Sequence, residues 1–131
     1  QLAHYVAPFP PEMASRIRAS WPGPVTWLVP AGNDCPDWLT GGRTTLAVRV
    51  SAHPPSRDLA RAAGTAIVST SANRHGEVPA RDAEGVRALF GDEVDAILDA
   101  PLGGLAGASE IRDARTGRVL RPAAKQSADC P

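Results

Sequence analysis

Two features of this sequence have residue types and spacing that suggest chemistry: an arginine inside an apolar strand and a hydroxyl-rich pentapeptide after another. Arg49 interrupts Leu46-Ala47-Val48-Arg49-Val50. If Leu46, Val48 and Val50 share one face, Arg49 points to the other. An arginine that leaves a buried face needs an acidic partner or an anionic ligand. Its planar fork can grip a carboxylate or phosphate through two parallel hydrogen bonds. A structural ion pair is the alternative. Ser69-Thr70-Ser71-Ala72-Asn73 follows the apolar triplet Ala66-Ile67-Val68. Its three hydroxyls and one carboxamide offer donors and acceptors without charge. They suit phosphate oxygens, a bound magnesium or an amino-acid ligand, and the alternative is a loop that caps the strand and starts a turn. Both features are expected at carboxyl ends of strands, where open α/β sheets bind ligands. Arg112, Arg118 and Arg121 crowd a predicted hairpin, where Glu110 and Asp113 could neutralise two of them.

Other chemistries lack their residues. The body of the chain has no lysine, because Lys125 near the C-terminus is the only one among 14 basic residues. Any lysine needed as a point charge on phosphate must come from elsewhere. There is no GxxxxGK[ST] loop and no GxGxxG. Cys35 and Cys130 form no CxxC pair, which argues against a zinc site or a disulfide framework. His4, His53 and His75 are scattered and read as surface or capping residues. Trp21, Trp27 and Trp38 read as core and loop anchors. Fourteen acidic residues balance the fourteen basic ones, whereas dedicated nucleic-acid binders carry a basic excess. No apolar run approaches the roughly 20 residues of a bilayer span, and no signal-peptide pattern is present, so a cytoplasmic protein without membrane contact is expected.

The elements that must position these residues follow from periodicity. Met13, Ile17 and Trp21 recur at a spacing of four, which predicts a helix over Glu12 to Ser20 behind two prolines. Val25 to Val29 reads as a buried strand, Pro30 to Gly42 as a loop and Thr44 to Val50 as a second strand. Pro54-Pro55-Ser56 introduces a helix from Arg57 to Ala63, with Gly64 as its stop. Ala66 to Val68 is a third short strand, and Arg74 to Ala80 a loop. Asp82 is a good N-cap for a helix through Phe90, with Val86, Leu89 and Phe90 on its apolar face and Gly91 at its end. Gly85 lies early in that helix, where glycine costs roughly 1 kcal/mol relative to alanine. Ala96 to Leu98 is a short strand, and Pro101 to Gly107 a mobile, glycine-rich loop. Glu110 to Asp113 and Arg118 to Arg121 flank a turn at Ala114 to Gly117. Alternating strands and helices predict α/β layers with a partly parallel sheet.

Four motifs occur in order along about 120 residues. They are Trp21-Pro22-Gly23-Pro24-Val25-Thr26; Leu46-Ala47-Val48-Arg49-Val50 with His53-Pro54; Val68-Ser69-Thr70-Ser71-Ala72-Asn73; and Ser109-Glu110-Ile111-Arg112-Asp113 with Val119-Leu120-Arg121-Pro122. Their order and spacing resemble the YrdC/TsaC family of threonylcarbamoyl-AMP synthases, in its short bacterial form. The resemblance implies a twisted, mixed parallel/antiparallel YrdC-like sheet with flanking helices over residues 1–122, followed by a disordered polar tail over 123–131. It also implies that an N-terminal portion of the family domain, with a KxR motif, is not among these residues, so this fragment would be inactive alone.

The implied reaction joins L-threonine, bicarbonate and ATP, with Mg2+ accompanying the ATP. N-carboxythreonine forms, its carboxylate attacks the α-phosphate, and pyrophosphate leaves. The product, threonylcarbamoyl-AMP, passes to the proteins of a threonylcarbamoyl transferase complex for tRNA modification. Residue by residue, the resemblance makes Arg49 the clamp for the threonine carboxylate, with Ser69 and Ser109 as further threonine contacts. Thr45, Ser71 and Asn73 become ATP or magnesium contacts, and Arg121 a triphosphate contact. None is a general base or a direct metal ligand, so positioning and charge neutralisation carry the reaction. The alternative is a non-catalytic module of the same fold that binds tRNA or double-stranded RNA, which net neutrality disfavours. The related hydrogenase-maturation carbamoyltransferase would need zinc-finger regions that two cysteines cannot supply.

Overall fold

The computed structural model describes residues 1–105 and 107–124 of the protein. Residues 125–131 of the expected polar tail, Lys125 among them, and Ala106 of the glycine-rich loop lie outside the described residues. The chain divides into two compact units: Gln1–Ala66 with the chain from Leu105 onward, and Ile67–Gly104.

The first unit is built on a four-stranded sheet. Its strands are β1 (Val25–Pro30), β2 (Thr45–Val48), β3 (Glu110–Asp113) and β4 (Val119–Arg121), in the order β2-β1-β3-β4. β1 pairs antiparallel with β2 and parallel with β3, and β3 pairs antiparallel with β4. The mixed sheet with flanking helices is the architecture expected from the sequence. Helix α1 (Pro11–Arg18) begins on Pro11, whose missing N–H is no loss in a first turn. It buries Met13 and Ile17 against Trp27 and Val29 of β1 and Leu46 and Val48 of β2. Trp27 and Val29 are each 1 % exposed and form the centre of this core. The Trp27 indole N–H donates to Ser20 Oγ at 2.8 Å, and that hydroxyl donates to Ile17 O at 3.0 Å, which ties the end of α1 to β1. Arg16 donates to the carbonyls of Ala114 and Arg115, so α1 also holds the β3–β4 turn.

The structure departs from the sequence expectations at several places. Pro30 to Gly42 contains a one-turn helix, α2 (Asp37–Thr40), which ends on Gly41 in the left-handed region at φ 61°. The second strand stops at Val48, and Val50 is 37 % exposed instead of sharing the buried face. Its carbonyl turns to accept from Gly23 N at 2.9 Å. Trp38 anchors nothing, being 73 % exposed on α2. Helix α3 (Pro54–Ala62) forms where a helix was expected but starts at Pro54, three residues before the expected Arg57, and buries no residue.

In the second unit, helix α4 (Ala83–Phe90) forms behind Asp82, whose carboxylate accepts from Gly85 N at 2.7 Å as an N-cap. A short 3-10 helix (Gly91–Glu93) follows. The expected strands at Ala66 to Val68 and Ala96 to Leu98 do not form. A strand exists only through pairing, and neither triplet meets a ladder partner among the described residues. Ile67, Val68 and Leu98 are 47 %, 66 % and 62 % exposed.

Candidate functional site

The site follows from the two faces of the first unit's sheet. Paired residues on neighbouring strands project their side chains to the same side. Trp27 pairs with Val48 and with Arg112, so these three share the core face. There the Arg112 guanidinium lies over the Trp27 ring, 5.7 Å from its centroid, and ion-pairs with Glu110. Alternation sends Thr26, Leu28, Thr45, Ala47 and Ile111 to the opposite face, where Ala47 is exposed.

Arg49 lies one residue beyond the end of β2. The β1–β2 register ends at the Trp27–Val48 pair, so Arg49 follows β2 at the end of the sheet where β1 begins. The Gly23–Val50 hydrogen bond holds the strand extension in place just beyond it. Gly23 is required there, because a Cβ on it would stand 2.4 Å from the Ser20 carbonyl oxygen. Arg49 is half-buried, and among the described residues no hydrogen bond or ion pair reaches it. The structural ion pair weighed as the alternative is therefore not what holds this arginine.

Across the sheet, Thr26 pairs with Ile111, and Ile111 pairs with Arg121. Ser109, two residues before Ile111, keeps its parity. Its hydroxyl lies 2.9 Å from Thr26 Oγ1. Arg121 Nη2 donates to the Ser109 carbonyl at 2.8 Å. Thr26, Ser109 and Arg121 are thus linked from β1 through the residue before β3 to β4, and Arg49 follows β2 at the same end of the sheet. With strands spaced about 4.8 Å, the backbones carrying the two arginines stand about 14 Å apart. Two guanidinium groups and two linked hydroxyls at this end of the sheet are groups that suit an anion. Among the described residues neither Arg49 nor Arg121 has an acidic side chain as partner. Asp113 belongs to the same face but does not neutralise an arginine as anticipated. Its Oδ1 accepts from the Thr116 backbone N–H at 2.8 Å and the Thr116 hydroxyl at 3.1 Å, which caps the turn. The Thr116 N–H holds the Asp113 carboxyl below its ordinary pKa.

The structure brings Ser109 and Arg121 together and leaves Arg49 at the same end of the sheet, past β2. Thr45 shares the face but sits four residues from Arg49, about 13 Å along the strand. Thr26 was missed by sequence reasoning. Its alternation with Trp27 marked it as facing away from the core, but only the β1–β3 register puts it against Ser109. Ser69, Ser71 and Asn73 belong to the second unit. Ser69 and Ser71 are exposed, and Asn73 is half-buried with its Nδ2 donating to Arg74 O at 2.8 Å. The pentapeptide follows no strand, so it is not a strand-end site. Two hollows lie elsewhere in the first unit: an apolar one of about 70 Å³ lined by Leu2, Val6, Phe9, Trp21, Val29 and Val48, and a polar one of about 280 Å³ around His4 and Asp34. No group of three or more His, Cys, Asp or Glu that could hold a metal occurs among the described residues, and no described helix is long and apolar enough to cross a membrane.

Comparisons with known proteins converge. The family model Sua5_yciO_yrdC, described as telomere recombination, matches residues 1–123. A threonylcarbamoyl-AMP synthase of Halorhodospira halophila is 53 % identical over 121 residues, covering 92 % of this chain and 63 % of that protein. One from Nitrosococcus oceani is also 53 % identical over 121 residues, covering 92 % and 65 %. The chain thus spans a little under two-thirds of the length of these curated relatives. Among solved structures, P. abyssi Sua5 complexed with L-threonine is similar with a TM-score of 0.84 at 29 % identity, covering 94 % of this chain and 37 % of that one.

Proposed function

The chain belongs to the Sua5, YciO and YrdC family, and from that premise we propose that it serves the synthesis of threonylcarbamoyl-AMP and pyrophosphate from L-threonine, bicarbonate and ATP. The observation that carries the proposal is the state of Arg49. It is half-buried just past β2, at the end of the sheet where Thr26 and Ser109 pair their hydroxyls, with no acidic partner among the described residues. A guanidinium so placed suits the carboxylate of an amino acid, and charge-assisted bonds to it are the strong kind. P. abyssi Sua5, which shares the fold, is known in complex with L-threonine.

In the reaction, the threonine amino group takes up bicarbonate as a carbamate with loss of water. The carbamate oxygen then attacks the α-phosphate of ATP, and pyrophosphate departs with the bonding electrons of the broken P–O bond. Arg49 would fix the carboxylate that does not react, and Ser109 would hold its second oxygen. Arg121, on β4, would meet the phosphates, with guanidinium N–H groups left after its bond to Ser109 O. Thr45, Ser69, Ser71 and Asn73 are proposed as ligand contacts on the strength of their motifs alone. Magnesium would arrive with ATP and be held mainly by phosphate oxygens, as is usual for this ion. It would offset the charge on the phosphates. The adenylate would pass to a transferase that modifies tRNA.

The body of this chain has no lysine, so the 131-residue chain by itself is expected to bind threonine without releasing pyrophosphate. Calorimetric titration with L-threonine tests the site. Arg49→Ala should weaken threonine binding about tenfold or more, the loss of a charge-assisted pair, and should affect ATP far less. Equal losses for both ligands would remove Arg49 from the threonine site.

A further inference from the structure

We propose that Thr26 is a positioning residue for the amino-acid subsite, acting through the hydroxyl of Ser109. The inference rests on the reading above that Arg49 and Ser109 receive a carboxylate. Thr26 Oγ1 and Ser109 Oγ are 2.9 Å apart, and either can donate. A carboxylate can only accept. Once it lies against Ser109, the Ser109 proton must point to the ligand, so Thr26 must supply the hydrogen of the Thr26–Ser109 bond. The order becomes Thr26 O–H to Ser109 O–H to carboxylate. A hydroxyl that accepts one hydrogen bond donates a stronger second one, because the dipoles in the chain polarise each other.

Three constraints make Thr26 suited to this. Its backbone is locked in β1 between two ladders, pairing with Ile111 on one side and standing next to the Trp27–Val48 pair on the other. Its β-branched side chain is stiff at χ1, so the hydroxyl has little freedom to wander. The Ser109 backbone is pinned separately by Arg121 Nη2 at 2.8 Å, which leaves the hydroxyl direction as the variable that Thr26 decides. A purely structural reading explains threonine here by its strand preference alone. That reading makes valine, with the same branching and a stronger strand preference, an equal substitute.

Thr26→Val and Thr26→Ser, each titrated with L-threonine as the full 131-residue chain, separate the two. Thr26→Val should bind threonine about two- to fourfold more weakly, the scale of a strengthening by about 10–30 % of one hydrogen bond to a charged group. Its thermal midpoint should stay close to that of the parent, since water can satisfy the half-buried Ser109 hydroxyl. Thr26→Ser restores the donor and should recover most of the affinity. If Thr26→Val binds as the parent does, or Thr26→Ser is as poor as Thr26→Val, the positioning role is overturned while the Arg49 reading stands. If Arg49→Ala also leaves threonine binding unchanged, or the parent chain binds no threonine, the reading beneath it fails and takes this proposal with it.

Discussion

The two units of this chain contrast in how their apolar residues find cover. In the sheet unit, Trp27, Val29, Leu46 and Val48 alternate along paired strands and meet Met13 and Ile17 of α1, all 9 % exposed or less. In the unit from Ile67 to Gly104, comparable residues remain open: Val68 at 66 %, Val78 at 83 %, Leu98 at 62 % and Leu102 at 66 %. Both stretches are rich in valine and leucine. The difference is backbone pairing, which fixes which side of a strand is buried and lets alternate residues accumulate on one face. The second unit is held by a cap, one helix and local bonds, among them Arg74 to Leu89 O and to Glu93. The candidate site lies at the end of this sheet: Thr26 and Arg121 are in β1 and β4, and Arg49 and Ser109 each stand one residue outside a paired strand.

That contrast can be broken or sharpened by substitution and measured by chemical denaturation. The largest effect should come from Trp27→Ala, which empties the centre of the sheet core and strips Ser20 Oγ of its donor. A loss of about 3–5 kcal/mol is expected, against no more than about 0.5 kcal/mol for Val68→Ala in the open unit. Comparable losses at the two positions would erase the distinction. Gly23→Ala comes next, at about 1–3 kcal/mol of overpacking strain, because its methyl must displace the Ser20 carbonyl. It should also weaken threonine binding by loosening the Gly23–Val50 bond beside Arg49. In the second unit Asp82→Ala removes the α4 cap and should cost about 1 kcal/mol, and hydrogen exchange should show that loss in α4 while the sheet amides stay protected. Gly85→Ala should not return the full helix-propensity gain, since the new Cβ would sit 3.1 Å from the Asp82 carboxylate oxygen and crowd that same cap.

The smallest effect concerns pH. The folded-state pKa of Asp113 is lowered by the Thr116 N–H. Its contribution is therefore present above the unfolded-state value, near 4, and is lost as pH falls below that through the folded value. Acid titration of the parent and Asp113→Asn should show the parent's advantage shrinking only below about pH 4. An advantage that is independent of pH would assign the turn to the backbone alone.

Most of the first unit was legible because its signals are local. Pro11 with the Met13–Ile17 spacing marks α1, the run from Val25 marks β1, and the Asp113–Gly117 turn marks the last hairpin. Asp82 and Gly91 likewise delimit α4. Ile67-Val68 and Ile97-Leu98 misled for a stated reason: apolar, β-branched composition describes a residue willing to be in a strand, and a strand also needs a neighbour. The candidate site divides the same way. Arg49, Ser109 and Arg121 stood out by type and motif. Thr26 did not, since a threonine in a strand has an ordinary explanation.

Residue identity and local spacing alone determined α1 to within two residues, both ends of α4, the hairpin, the alternation of β1 and the family motifs, because each depends on neighbours a few positions apart. Only the tertiary structure decided that Arg49 lacks an acidic partner among the described residues, that Arg112 turns to the core face over Trp27, and that Ser109 meets Thr26 from 83 positions away. These are facts of register between strands remote in sequence. A shift of one residue in any ladder would send those side chains to the opposite face.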